Sequence, residues 1–258
     1  MFKARRGGSQ VLWAAVSILA ALAVWEIVAR WSGIPPFLIP PPGAVVARLV
    51  QSAAAGTLGH HVWVTLAEVL TGLAIGLSFA LGLGYALAKS PSVERLISPY
   101  LVASQSVPVV ALAPLLALWF GPGPTSKVLI SALIVFFPAL VNTVLGVRSV
   151  PTELKDLMRS LRASTWQTFA KLEVPASLPA VFSGLKVGAT LSVIGAVVGE
   201  FVAANEGLGF LLNVARGRYD TPLVFGCILL LVGMALTLYG ITSWFELRLL
   251  GWRTENPR

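Results

Sequence analysis

Charge, cysteine and histidine are all scarce in this sequence, and each shortage closes off a class of protein. Aspartate, glutamate, lysine and arginine make up 12% of the 258 residues, about half the share of a soluble domain. With 56% hydrophobic residues and a mean hydropathy of +0.82, a water-soluble globule is excluded. The single cysteine, Cys227, lies inside an apolar run, so no disulfide framework can form within the chain, and it reads as a small buried hydrophobe. The two histidines, His60 and His61, are adjacent and have no acidic or cysteine neighbour, which makes them an interfacial polar pair rather than a metal site. Gly-x-Ser-x-Gly, His-Glu-x-x-His and Cys-x-x-Cys are all missing, so the chain is not expected to be an enzyme. Gly121-Pro-Gly-Pro-Thr-Ser-Lys127 has the outline of a phosphate loop, but Ser126 replaces its second glycine and the prolines remove amide donors.

What is abundant is apolar runs long enough to cross a bilayer, about 20 residues each. They are 11–28, 64–88, 97–120, 128–147, 182–202 and 223–245. The expectation is an all-α polytopic membrane protein with about six transmembrane helices, one membrane domain over 1–258. The first run follows a basic segment but has no convincing small-residue cleavage site before Trp31, so it reads as a retained helix. Six spans put both termini on one side. If that side is the cytoplasm, it holds Lys3, Arg5, Arg6, Lys89, Arg95, Arg148, Lys155, Arg159, Arg162, Lys171, Arg248, Arg253 and Arg258. The outside keeps only Arg30, Arg48, Lys127, Arg216 and Arg218, with Lys186 left inside the fifth run. That asymmetry is the positive-inside pattern, and it accounts for the +8 charge without nucleic acid. The outer segment 31–61 opens on Ile34-Pro-Pro-Phe-Leu-Ile-Pro-Pro-Pro-Gly43, whose missing donors favour extended structure along the membrane surface.

Within the runs, glycines recur at four-residue spacing: Gly72 and Gly76, Gly184 and Gly188, Gly195 and Gly199. This spacing lets helix backbones approach closely. Pro108, Pro114 and Pro138 also fall inside runs, and the carbonyls they free need partners. Acidic residues at membrane depth are functional candidates by default. Glu26 and Glu68 lie about two turns from the outer interface, where hydration is available. Glu200 is deeper, either lining a pathway or structurally paired, and Ser104, Gln105 and Asn142 are the other pathway candidates.

The polar loop 148–179 encodes two short helices. Thr152 is placed to cap the first, whose Leu154, Leu157, Met158 and Leu161 form one apolar face opposite Lys155, Asp156, Arg159 and Arg162. The second opens with the capping box Ser164-Thr-Trp-Gln167, carries Trp166, Phe169 and Ala170 on its apolar side, and is expected to end at Pro175 and Pro179. Such a protrusion packs on the membrane domain and offers a surface to a cytoplasmic partner.

Asp156-Leu-Met-Arg-Ser-Leu-Arg162, nine residues, then Leu172-Glu-Val-Pro175 resembles the EAA loop of binding-protein-dependent ABC importer permeases. Asp156 stands for the glutamate of that pattern, and Arg162 for the glycine that permits a sharp bend. Further segments are similar to the nitrate, sulfonate and taurine branch, which also includes transporters of pyrimidine and flavin vitamins or their precursors. They are Leu38-Ile-Pro-Pro-Pro, Ser106-Val-Pro, Ala113-Pro-Leu, Leu118-Trp-Phe-Gly-Pro-Gly123, Phe136-Phe-Pro138, Gly199-Glu200 and Gly207-Leu-Gly209.

The resemblance implies a multi-pass protein of the bacterial inner membrane. It implies a second permease copy forming the pathway, two cytoplasmic ATP-binding subunits on the loops, and an external substrate-binding protein delivering cargo. This chain would carry no cofactor, ATP being held by the partner. Asp156, Arg159, Arg162, Ser164, Trp166 and Phe169 would be the ATPase-coupling residues. The rival reading, a secondary transporter or channel without an ATPase, calls for internal repeats or a mid-span ionisable relay, and neither is evident. Specificity in such systems rests largely with the binding protein, so sulfonate-like anions and neutral vitamins both stay open.

Overall fold

A computed structural model describes residues 6–251, and these are helical with no strand among them. The helices are α1 (Arg6–Trp31), α2 (Pro42–Ala54), α3 (Thr57–Lys89), α4 (Pro91–Gln105), α5 (Val109–Phe120), α6 (Pro124–Arg148), α7 (Thr152–Ser160), α8 (Thr165–Thr168), α9 (Val174–Ala203), α10 (Leu208–Gly217) and α11 (Thr221–Leu249). A π turn, Phe169–Glu173, joins α8 to α9. By length and apolarity four helices suffice to cross a membrane: α3, α6, the continuous Thr165–Ala203 helix and α11. The α4 and α5 pair makes a fifth if counted as one span. Among the described residues this is fewer than the six expected, although α1 covers the run 11–28.

The expected third span is the main departure, because α4 and α5 meet at 92° instead of forming one helix over 97–120. The cause is Pro108, extended at φ −62° and ψ 112°, which sits as the N-cap of α5 and disfavours helix at Val107 before it. A second departure lies in segment 31–61. Its prolines do not keep it extended to the end, since Pro42 begins α2 at the first helical position, where a missing N–H costs nothing.

The chain forms two compact units. The first comprises the residues up to His60 together with Leu211–Leu230. Here Trp25 donates its indole N–H to the Pro40 carbonyl at 3.0 Å, and Arg48 on α2 pairs with Asp220 at 2.7 Å. Leu49 fills the space left by Gly226, and Cys227 is buried with Ala215 and Leu223. Glu26 is paired with Arg30 one turn later.

The second unit, His61–Phe210 with Leu231 onward, is built around α6. Helix α6 meets α3 through Gly72 and Gly76, and α9 through Gly184, Gly195 and Gly199. A methyl group on Gly76 would sit 2.5 Å from the Ala132 carbonyl, and one on Gly195 2.5 Å from the Ser131 Cα. Gly76 and Gly195 are therefore contact points between backbones. Between α9 and α11, Lys186 is paired with Glu246 and lies over the Tyr239 ring, so the one basic residue inside the fifth run is neutralised there.

Candidate functional site

The loop between α6 and α9 begins where α6 is held in place: Arg148 pairs with Glu94 of α4 at 2.6 Å and donates to the Leu87 carbonyl of α3. Helix α7 starts with Pro151 as its N-cap, and Thr152 is its first residue with no capping hydrogen bond, contrary to the expected Thr152 cap. Most of its apolar stripe is left open, with Met158 half-buried. Leu154, Leu157 and Leu161 are exposed, Leu161 to 68%, and no α7 residue is buried. On the polar side Asp156 and Arg159 form an exposed ion pair at 3.0 Å.

The bend after α7 is sharp although its glycine is replaced. Arg162 adopts φ +52°, the Ala163 amide donates to the Met158 carbonyl, and the Arg162 amide donates to that of Arg159. This is a Schellman C-cap with arginine in the position glycine usually takes. Ser164 then opens α8 with the capping box expected: its hydroxyl accepts from the Gln167 amide and the Gln167 side chain accepts from the Ser164 amide.

Pro175 and Pro179 do not end this second helix. The π turn lets the Val174 amide reach back to the Phe169 carbonyl, and the helix runs on through both prolines to Ala203. A π turn gives the proline ring the room a regular turn denies it. The loop is thus one arm of a long helix. It is fastened to α3 at two points: Phe169 packs edge-on against Tyr85, and Glu173, 1% exposed, accepts from Tyr85 at 2.8 Å and Lys89 at 2.6 Å. Trp166 lies against Phe169 yet is 70% exposed. Of the two aromatic candidates, Phe169 is the anchor to this chain and Trp166 is offered outward.

A second cluster lies farther along α3. Glu200 on α9 is buried, and its carboxylate accepts from the Thr65 hydroxyl at 2.6 Å and from the Gly209 amide. Thr65 in turn accepts from the Leu208 amide at 2.7 Å, and His61 Nδ1 from the Gly207 amide at 3.1 Å. The carboxylate therefore holds the start of α10, where acceptors are needed for free amides. Gly207 has φ +103° and leaves no room for a side chain beside Glu200. Glu68, expected near hydration, is instead buried in this cluster with Lys127 at 3.8 Å. Lys127 donates to the Pro122 and Gly123 carbonyls, and Ser126 to those of Gly121 and Gly123. The glycine-proline loop thus turns carbonyls, not amides, toward its cation.

Ser104 and Gln105 are exposed at the C-terminal end of α4, beside the 92° bend, and Asn142 is half-buried on α6, donating to the Pro138 carbonyl. They lie on different elements from Glu200, and no hydrogen bond joins the four. The pairings made by Thr65, Lys127, Tyr85 and Glu173 were not expected from the sequence. The one signal for Glu200's partner was the Gly207-Leu-Gly209 motif, since two glycines after a buried acid mark close backbone approach.

The helical chain thus carries a loop with an uncovered apolar and charged face, which is suited to docking a partner. The chain belongs to the family of binding-protein-dependent transport system inner membrane components, which it matches over residues 72–251. It is 44% identical to the riboflavin transport system permease protein of Chloroflexus aurantiacus, over 93% of this chain and 90% of that one. To the formylaminopyrimidine transport permease protein of Halalkalibacterium halodurans it is 37% identical, over 96% and 98%. To the taurine transport system permease protein of Escherichia coli it is 30% identical, over 93% and 89%.

Proposed function

We propose that two copies of this chain form the pathway of an importer whose cargo is an uncharged nitrogen heterocycle of the riboflavin or formylaminopyrimidine class. Two ATP-binding subunits dock on the 148–179 loops at the cytoplasmic face and hydrolyse the ATP, and an external binding protein delivers the cargo. Both termini lie in the cytoplasm, as the distribution of basic residues favours.

The observation that carries this reading is the loop. Leu154, Leu157, Leu161 and Trp166 stay exposed beside the Asp156–Arg159 pair, an apolar centre with a charged rim. Through Phe169 and Glu173 the loop is fastened to α3, so closure of the ATPases on ATP moves α3 together with α9. The heterocycle is favoured over a sulfonate because identity is higher to the riboflavin and formylaminopyrimidine permeases than to the taurine permease.

The test is reconstitution. Permease, ATP-binding subunit and binding protein in liposomes are expected to take up riboflavin or formylaminopyrimidine in an ATP-dependent manner, and not taurine. Uptake by the permease alone would overturn the importer reading, and taurine uptake without heterocycle uptake would overturn the cargo.

A further inference from the structure

Helices α4 and α5 are the two halves of one broken span and meet at 92°. With 15 and 12 residues they run about 22 Å and about 18 Å, so at a right angle their far ends are about 28 Å apart. That nearly equals the hydrocarbon core of about 30 Å. The pair therefore crosses only if both halves are inclined, which puts the corner near mid-depth and about 14 Å to the side of the direct path. Val93, Ile97 and Leu101 fasten α4 to its own bundle, whereas the corner, residues 102–108, is exposed throughout and points away from it.

This corner is polar where lipid would require it to be apolar. Ser104 and Ser106 turn their hydroxyls back onto the carbonyls of Leu101 and Val102, but among the described residues nothing pairs with the Gln105 side-chain amide. Helix α5 also begins without a capping side chain, at the non-helical Pro108. Irregular backbone with open polar groups is not tolerated against hydrocarbon, so this corner is covered by protein from outside its own chain. Its composition says which protein. From Leu96 to Ser126 there is no Asp, Glu, Lys, Arg or His, so two copies of this surface can meet without like charges facing. A glutamine amide both donates and accepts, which makes it complementary to itself, as a two-fold contact demands.

We infer that the α4–α5 corner is a contact between two copies of this chain, with Gln105 of one copy hydrogen-bonded to Gln105 of the other across the two-fold axis. The inference rests on the two-copy reading above. Tyr100 and Val102, 72% and 66% exposed, supply the apolar flank of the contact.

The experiment uses the permease–ATPase complex in its own membranes, with the photo-crosslinking residue p-benzoylphenylalanine placed at one position at a time. With Gln105→p-benzoylphenylalanine, irradiation is expected to shift the permease to twice its mass, with the crosslink falling in residues 96–120 of the second copy. The reference position is Leu236, 64% exposed near the middle of α11, where the same substitution is expected to leave the permease at single mass. If the Gln105 protein does not assemble, the exposed Ser104 carries the test. The number of permease copies per complex is read by native mass spectrometry. A complex with two copies but no doubled band from the corner overturns the contact and leaves the two-copy reading standing, as does a doubled band of equal strength from Leu236. A complex with one copy removes both.

Discussion

Among the described residues, two hold left-handed backbone without being glycine, and both end helices in the same way. Arg162 at φ +52° follows α7, and Tyr219 at φ +57° follows α10, where the Asp220 amide donates to the Ala215 carbonyl. An L-residue in this region loses roughly 1–2 kcal/mol to contact between its Cβ and the backbone. The Schellman hydrogen bonds hold it there regardless. Replacing Arg162 by glycine removes that strain, at the cost of some unfolded-chain entropy. Arg162→Gly is therefore expected to stabilise the bend by about 1 kcal/mol, slowing exchange of the Ala163 amide roughly fivefold. Equal or faster exchange would show that the arginine side chain earns its place by a contact of its own. At this scale the sequence was partly readable. The missing glycine could be seen, but that an arginine would take up its backbone angles depends on hydrogen bonds that only the folded loop supplies.

Among the elements of the second unit, α6 is the one that α3, α5 and α9 approach. The glycine pairs on α3 and α9 were legible as close-packing positions, because four-residue spacing keeps them on one helix face. Which helix they would meet was not legible. Gly76 meets the Ala132 backbone and Gly195 the Ser131 backbone, neither of which can turn aside as a flexible side chain would. Gly76→Ala and Gly195→Ala are each expected to destabilise the bundle by about 1–3 kcal/mol, the usual range for overpacking. Gly233→Ala on α11 has open space around it and is the control, expected to be neutral or slightly stabilising. Apparent melting temperatures of the purified proteins separate the two groups, and a Gly76→Ala protein as stable as the control would refute the packing account. The apolar runs themselves came out of hydropathy alone, because a bilayer demands length and apolarity whatever the tertiary contacts. The break between α4 and α5, the helix α2 and the π turn did not. Each depends on how a proline is accommodated, by ending a helix, by starting one or by widening a turn, and proline in a sequence does not say which.

For the molecule as a transporter, the decisive question is whether the loop acts as a docking surface, a lever or both, and its two aromatics separate these roles. Trp166 faces outward, so Trp166→Ala is expected to weaken capture of the ATP-binding subunit at least about tenfold, the loss typical of an interface anchor. The fold of the permease should be unaffected, since the ring is 70% exposed. Glu173 faces inward. Glu173→Gln keeps a side chain of the same shape but removes the charge facing Lys89, loosening the loop from α3 without touching the exposed stripe. The ATPase should then still bind and still hydrolyse ATP, while less of its movement reaches α3. The expected signature is normal co-purification with a several-fold fall in cargo transported per ATP hydrolysed. Lys89→Met, which removes the other partner and leaves Glu173 buried beside Tyr85 alone, should fall the same way. Were both variants to transport at wild-type stoichiometry, α3 would not be the route, and the movement would have to pass along the continuous helix from Thr165 to Ala203 by itself.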